Sequence, residues 1–262
     1  MTNKGGGRPM HTIPGAFQRL HALYAEGEAR LAQGDLEGAV ACFTEGIGID
    51  AHFRQRYVTM YAQRAFALQK LGRVAEAIAD YGKALELGEP PPNQAQYHFH
   101  RATCWTALPA KDDAEKRANV ERAVADHGRS LELFPDHPGP WHLRGKLRVY
   151  ELEDFAGGLA DLDRALAFRE NADARMAHGF ALYRMSRFDE ARADYERVAQ
   201  ASQDPYVDYM LACIHAKQGN VPALLHHAER AIGADATYRA YFAEDEEFAP
   251  YRNGPELAAL LA

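Results

Sequence analysis

The chain is expected to be all-α, a solenoid of antiparallel helix pairs stacked side by side, and three observations carry this. A ladder of small, turn and aromatic residues recurs with a period of roughly 34 residues. Pro and Gly fall between segments of helix-forming residues, and no alternating strand pattern is found. The composition, 47% hydrophobic and 26% charged, is that of a globular chain able to bury a core.

The ladder is clearest from Ala65 to Ala84. Ala65 is followed by Gly72, Ala77, Tyr81 and Ala84, at steps of seven, five, four and three residues. Gly27, Gly34, Ala39, Phe43 and Gly46 repeat those steps, as do Ala212, Gly219, Leu224, Ala228 and Ala231. Gly179, Ser186, Ala191, Tyr195 and Val198 form a weaker copy in register. Gly145, Glu153, Gly158, Leu162 and Ala165 form another, one residue late at its turn. The copy begun at Ala102 is interrupted by an insertion around 109–117 and completed by Ala123, His127 and Ser130. Small residues on one face let two helix axes approach, glycine allows the tight turn between them, and the aromatic fills the space that remains. One such pair cannot bury its own apolar face, so neighbours must stack.

The segments LYAEGEARLAQGDLEGAVACF and YAQRAFALQKLGRVAEAIADYGKALEL resemble the tetratricopeptide repeat family, and the likeness extends over about residues 17–235. It implies a right-handed α-α superhelix in which inner helices line a concave, ligand-holding surface. Glu153 and Ser186 at the turns, and Leu224 and Ala228 in the last copy, depart from the family pattern.

Taken in order, residues 1–16 are expected to be a disordered tail, because Met1–Met10 contains Gly, Lys and Arg but no apolar signal core. Six pairs should then occupy 17–50, 55–89, 94–135, 139–170, 171–203 and 205–235. Their first helices are placed at 17–32, 55–70, 94–107, 139–151, 171–185 and 205–218, and their second at 36–49, 74–87, 113–133, 155–168, 188–201 and 221–232. Pro90, Pro91 and Pro92 are read as a rigid linker. In the third pair Asp112 or Asp113 can cap a second helix about nine residues longer than its neighbours, projecting roughly 13 Å at ~1.5 Å per residue. Residues 236–262 should form a capping helix segment with Leu257, Leu260 and Leu261 packed on the sixth pair. Phe248, Tyr251, Arg252 and Pro255 match the short tail that follows many arrays of the family, with Tyr251 in place of a leucine.

The same residues argue against most chemistry. The net charge of −7 with interspersed signs gives no basic footprint for nucleic acid. No membrane span is expected, and a cytoplasmic location follows as an expectation. Cys42, Cys104 and Cys213 are odd in number and far apart, unlike a disulfide framework or zinc site. None of the three serines, Ser130, Ser186 and Ser202, lies in a nucleophile elbow. His98 with His100, and His226 with His227, are too close in sequence to share a helix face as metal ligands. No catalytic residue, metal or cofactor is expected.

Helical phase, counted from the small crossing residue, places a groove on the first helix of each pair. It comprises His21, Tyr24 and Glu28; Thr59, Ala62, Gln63, Phe66 and Lys70; Gln96, Phe99, His100 and Thr103; His142, Lys146 and Tyr150; Met176, Phe180, Tyr183 and Arg184; Tyr206, Tyr209, Cys213 and Lys217. Aromatics dominate this set and Glu28 is its one acid. The expected function is a protein-interaction adaptor that anchors an unidentified peptide or protein on these rings. Lys70, Lys146, Arg184 and Lys217 would steer an acidic partner. The two-asparagine clamp with which some members of the family hold chaperone tails is not expected, since no Asn falls mid-helix on this face. A self-assembling structural module and a helical RNA reader remain as alternatives.

Overall fold

The computed structural model describes residues 15–49 and 54–262, with side chains described from residue 58 in the second stretch. The expected tail falls almost wholly outside this range. Every regular element among the described residues is helical: α1 (Ala16–Gln33), α2 (Leu36–Gly48), α3 (Arg54–Lys70), α4 (Val74–Leu87), α5 (Pro91–Ala107), α6 (Asp113–Leu133), α7 (Pro138–Tyr150), α8 (Phe155–Phe168), α9 (Ala172–Arg184), α10 (Phe188–Ala199), α11 (Pro205–Lys217), α12 (Val221–Ala234), α13 (Tyr238–Glu244) and α14 (Pro255–Leu261). A 3-10 turn covers Glu246–Phe248. The result is an all-α fold of tandem helix pairs, each helix packed mainly on its chain neighbours, as in an α-α solenoid. None of these helices is long and apolar enough to cross a membrane.

The chain divides into two compact units, Met1–Phe134 and Pro135–Ala262. In the first, α1 touches α3 and α3 touches α5, so the odd-numbered helices form one layer. Leu20, Leu23, Phe43 and Met60 fill the core around the first pair. Val58, Leu68, Tyr81 and Tyr97 fill it further along. In the second unit Leu162, Leu182, Tyr195, Leu211 and Ile214 build the core of α7–α11. Leu224, Phe242, Phe248 and Leu257 then join α12, α13 and α14 to α11. Leu260 and Leu261 pack on that cluster, and the Tyr251 hydroxyl donates to the Ala216 carbonyl at 2.7 Å.

The small residues sit where the helices of a pair cross. A Cβ on Gly27 would lie 2.5 Å from the Phe43 ring. One on Gly179 would lie 3.0 Å from the Tyr195 ring. The turns follow from helix endings. Gly34, Gly72 and Gly219 have φ of 81°, 76° and 68°, the left-handed conformation that closes a helix. Glu153 and Ser186, the two departures at that rung, adopt the same region at 55° and 60°. Asp35, Asp112, Asp154, Asn171 and Asn220 cap the following helices through their side chains.

Two expectations change. Pro91 and Pro92 are not a linker but the first residues of α5, where a missing N–H costs no helical bond. The long helix of the third pair is α6, capped by Asp112; at 21 residues it exceeds α4 and α8, each of 14, by seven rather than nine.

Candidate functional site

The odd-numbered helices of each unit carry the candidate site, and ion pairs fix how α3, α5, α7, α9 and α11 each meet the helix that follows. Arg64 of α3 grips Asp80 of α4 through two bonds of 2.7 and 2.8 Å. Arg101 of α5 holds Asp126 of α6 at 2.8 and 2.7 Å, with His98 Nδ1 2.7 Å from the same carboxylate. Arg144 and Arg148 of α7 converge on Asp161 of α8. Arg175 and His178 of α9 meet Asp194 of α10. In the last pair the polarity reverses, and Asp208 of α11 faces His227 and Arg230 of α12. All five aspartates are buried. Burial alone would raise the Asp126 carboxyl, but Arg101 and His98 outweigh it and hold it below the usual range. His98 and His227 each already face a carboxylate, and among the described residues no group of three His, Cys, Asp or Glu is placed to hold a metal.

In the first unit α3, α4 and α5 enclose a cleft of about 340 Å³ lined by Thr59, Ala62, Gln63, Phe66, Tyr81, Asn93, Gln96, Tyr97 and His100. Phe66 meets His100 edge-on at 5.8 Å, and His100 stacks on Tyr81 at 5.9 Å. Lys70 lies over the Phe66 ring at 5.4 Å. Burial pushes the Tyr97 hydroxyl up to about 12, so it stays protonated and able to donate. Phe99 leaves the cleft: its ring turns toward His127 of α6 at 5.7 Å. Tyr24 sits beside Phe43 and donates to Glu28 at 2.8 Å. Gln63 reaches the same Glu28 at 3.3 Å. Thr103 bonds Gln69 and the His100 carbonyl rather than facing the cleft.

In the second unit the expected residues form three separate groups of ring contacts. Tyr150 meets Phe180 at 5.3 Å, and Arg184 lies over Phe155 and Phe180 at 4.8 and 5.8 Å. Tyr183 rests on Phe188, and Tyr206 on Tyr209. Tyr209 in turn touches Tyr238, Tyr241, Phe242 and Phe248, and its hydroxyl donates to Asp245. Cys213 is only 3% exposed and belongs to the core; burial drives its thiol pKa well up, leaving an inert thiol. Ala62, at 7%, forms cleft floor rather than an open face.

The second unit is also less acid-poor than its first-helix sequences suggest. Asp173 takes Lys146 at 2.7 Å and lies 3.0 Å from His142. Glu153 takes Arg184 at 3.4 Å, and Glu247 takes Lys217. These carboxylates come from a helix start, a turn and the tail, which helical phase on the first helices does not sample. The lining residues that phase missed, Asn93, Tyr81 and Tyr97, lie before the expected start of α5, on α4, or one position off the chosen stripe.

These crossings, turns and paired helices define an α-α repeat protein. Tetratricopeptide-repeat family models match residues 20–53 and 63–138. Those residues carry tetratricopeptide repeats, and the same helix-pair architecture continues beyond them, giving among the described residues six full pairs followed by the shorter α13 and α14. Among solved structures it is similar to YrrB, described as a TPR protein with an unusual peptide-binding site: 21% identity, TM-score 0.65, covering 77% of this chain and 97% of that one. A tetratricopeptide-repeat protein from Parabacteroides merdae gives 16% identity and TM-score 0.65 over 93% and 98% of the two chains. PilF of Pseudomonas aeruginosa gives 14% and 0.59 over 91% and 98%. At these identities the likeness is one of fold. No curated protein sequence matches the chain.

Proposed function

We propose that this chain is a protein-interaction adaptor that takes a peptide or protein segment against its odd-numbered helices, and that it works by binding rather than catalysis. The observation that carries the reading is the cleft of the first unit. It combines ring surfaces of Phe66, Tyr97 and His100, which favour an apolar anchor, with the side-chain amides of Gln63, Asn93 and Gln96. Amides both donate and accept, so they can pair with the main chain of an extended segment whatever its sequence. Lys70 at the rim suits an acidic residue next to the anchor, and a cytoplasmic partner is the natural one for such a module. That the similar protein YrrB is described as having a peptide-binding site supports the reading.

Affinity capture from native lysate with the wild type beside a Phe66→Ala/Gln96→Ala variant tests it. A set of proteins should be retained by the wild type and lost by the variant. Identical partner lists would sink the cleft as the binding site.

A further inference from the structure

The end of the second unit gathers four tyrosines, of which helical phase selected Tyr206 and Tyr209 but not Tyr238 and Tyr241. Tyr209, Tyr238 and Tyr241 are mutually in contact, with ring centroids 5.6, 5.9 and 5.3 Å apart. Tyr206 joins them through Tyr209 at 6.4 Å. A buried cluster of this kind would be core, but Tyr241 is 55% exposed, more than any other large hydrophobic residue described. Beneath it Phe242 is fully buried and anchors α13, so the exposure of Tyr241 belongs to a fixed element.

The charge beside these rings is negative. Asp204 caps α11 two residues before Tyr206, and Asp235 holds the turn that leads into Tyr238. Among the described residues neither forms a salt bridge. Burial first, then the nearby Asp204 carboxylate, raises the Tyr238 hydroxyl pKa. Each cation of this region is held by a partner: Lys217 pairs with Glu247, Arg252 donates to the Asp245 and Phe242 carbonyls, and Arg239 of α13 donates to the Leu260 carbonyl at 3.2 Å. Exposed ring faces attract a cation through their quadrupole, and unpaired carboxylates beside them add to that attraction.

We propose that Tyr206, Tyr209, Tyr238 and Tyr241, with Asp204 and Asp235, form a docking face for the lysine or arginine side chains of a basic peptide segment. This deepens the protein-binding reading by giving the second unit a partner chemistry opposite to that suggested by Lys70 in the first. It does not depend on the first unit's cleft. The Phe66→Ala/Gln96→Ala capture experiment and the one below can therefore fail separately.

The test is fluorescence anisotropy of the full chain with a labelled Gly-Arg-Gly-Ser repeat peptide, run beside its Gly-Glu-Gly-Ser counterpart. The arginine peptide should bind and the glutamate peptide should not. Tyr241→Leu keeps an apolar side chain but removes the ring, and should weaken binding about two- to five-fold, corresponding to roughly 0.5–1 kcal/mol. Asp204→Asn/Asp235→Asn retains side chains able to cap and should weaken binding further while flattening its salt dependence. An unchanged melting temperature for Tyr241→Leu confirms that the variant is folded. No binding of the arginine peptide, equal binding by wild type and Tyr241→Leu, or tighter binding of the glutamate peptide would each overturn the proposal.

Discussion

Arg64 and Asp80 form a two-pronged ion pair across the second helix pair, Nε to Oδ2 at 2.7 Å and Nη2 to Oδ1 at 2.8 Å, with Asp80 buried and Arg64 mostly so. The arginine immediately precedes the small crossing residue Ala65, and the aspartate immediately precedes the aromatic Tyr81. The same offset places Arg101 before Ala102 and Asp126 before His127, Arg144 before Gly145 and Asp161 before Leu162, and His178 before Gly179 and Asp194 before Tyr195. The crossing that brings the small residue against the ring also brings these neighbours together. Removing one partner strands the other charge in a poorly hydrated site. Asp80→Ala should therefore destabilise the first unit by about 2–4 kcal/mol, while Arg64→Met/Asp80→Ala should recover most of that loss. Urea denaturation of the four members of the cycle measures both effects. Additive losses would mean that the pair contributes no coupling.

The glycine crossings make a contrasting prediction. A methyl on Gly27 would press into the Phe43 ring at 2.5 Å, and Phe43 is fully buried, so it has little room to move. Gly27→Ala should cost about 1–3 kcal/mol. Gly233, near the end of α12, is exposed, and a methyl placed on it would meet no neighbour within 4 Å. Gly233→Ala should instead stabilise by up to about 1 kcal/mol through helix propensity. Thermal unfolding of the two variants separates the effects, and loss of stability in both would remove the packing explanation.

The crossing glycines, the interrupted third pair and the cap on α6 are all legible in sequence because each rests on spacing within a few turns of chain. The ion pairs are equally regular, yet a ladder of small and aromatic rungs leaves out the polar residue beside each one. Other features are not legible in that way. Phe99 and Thr103 share the helix of the cleft but turn to other partners, since a shift of about one residue rotates a side chain by ~100°. The carboxylates that neutralise Lys146, Arg184 and Lys217 arrive from α9's first turn, the turn before α8 and the tail. Tyr238 and Tyr241 enter the site only because Phe242 docks α13 beside α11.

The turn residues give a stabilising prediction. Ser186 takes the place in its repeat that Gly34, Gly72 and Gly219 hold in theirs, and shares their left-handed backbone with φ of 60°. That conformation costs a residue with a Cβ about 1–2 kcal/mol, of which glycine's greater freedom in the unfolded chain offsets part. Ser186→Gly should therefore stabilise the second unit by roughly 0.5–1 kcal/mol. An increase in the denaturation midpoint with an unchanged slope is the expected result; a decrease would show that the turn does not carry strain at this residue.

His178 links the ion-pair row to pH. Its Nδ1 lies 2.5 Å from Asp194 and its Nε2 3.2 Å from Asp163. Burial works against the imidazolium, but the bond and charge of Asp194, helped by Asp163, prevail and raise the His178 pKa above its ordinary value of 6.5. A histidine whose pKa is higher folded than unfolded binds protons more readily in the folded state. Its contribution is therefore complete below the unfolded value, and is lost as pH rises through the raised one. His178→Asn removes this titration while keeping a polar side chain that can face Asp194. The stability of the wild type relative to this variant should accordingly be greater near about pH 5.5 than near about pH 8.5. Taking the difference between the two proteins removes titrations they share, including that of His142, which burial shifts downward. A difference in melting temperature that stays constant between the two pH values would show that Asp194 holds His178 equally well in its neutral form.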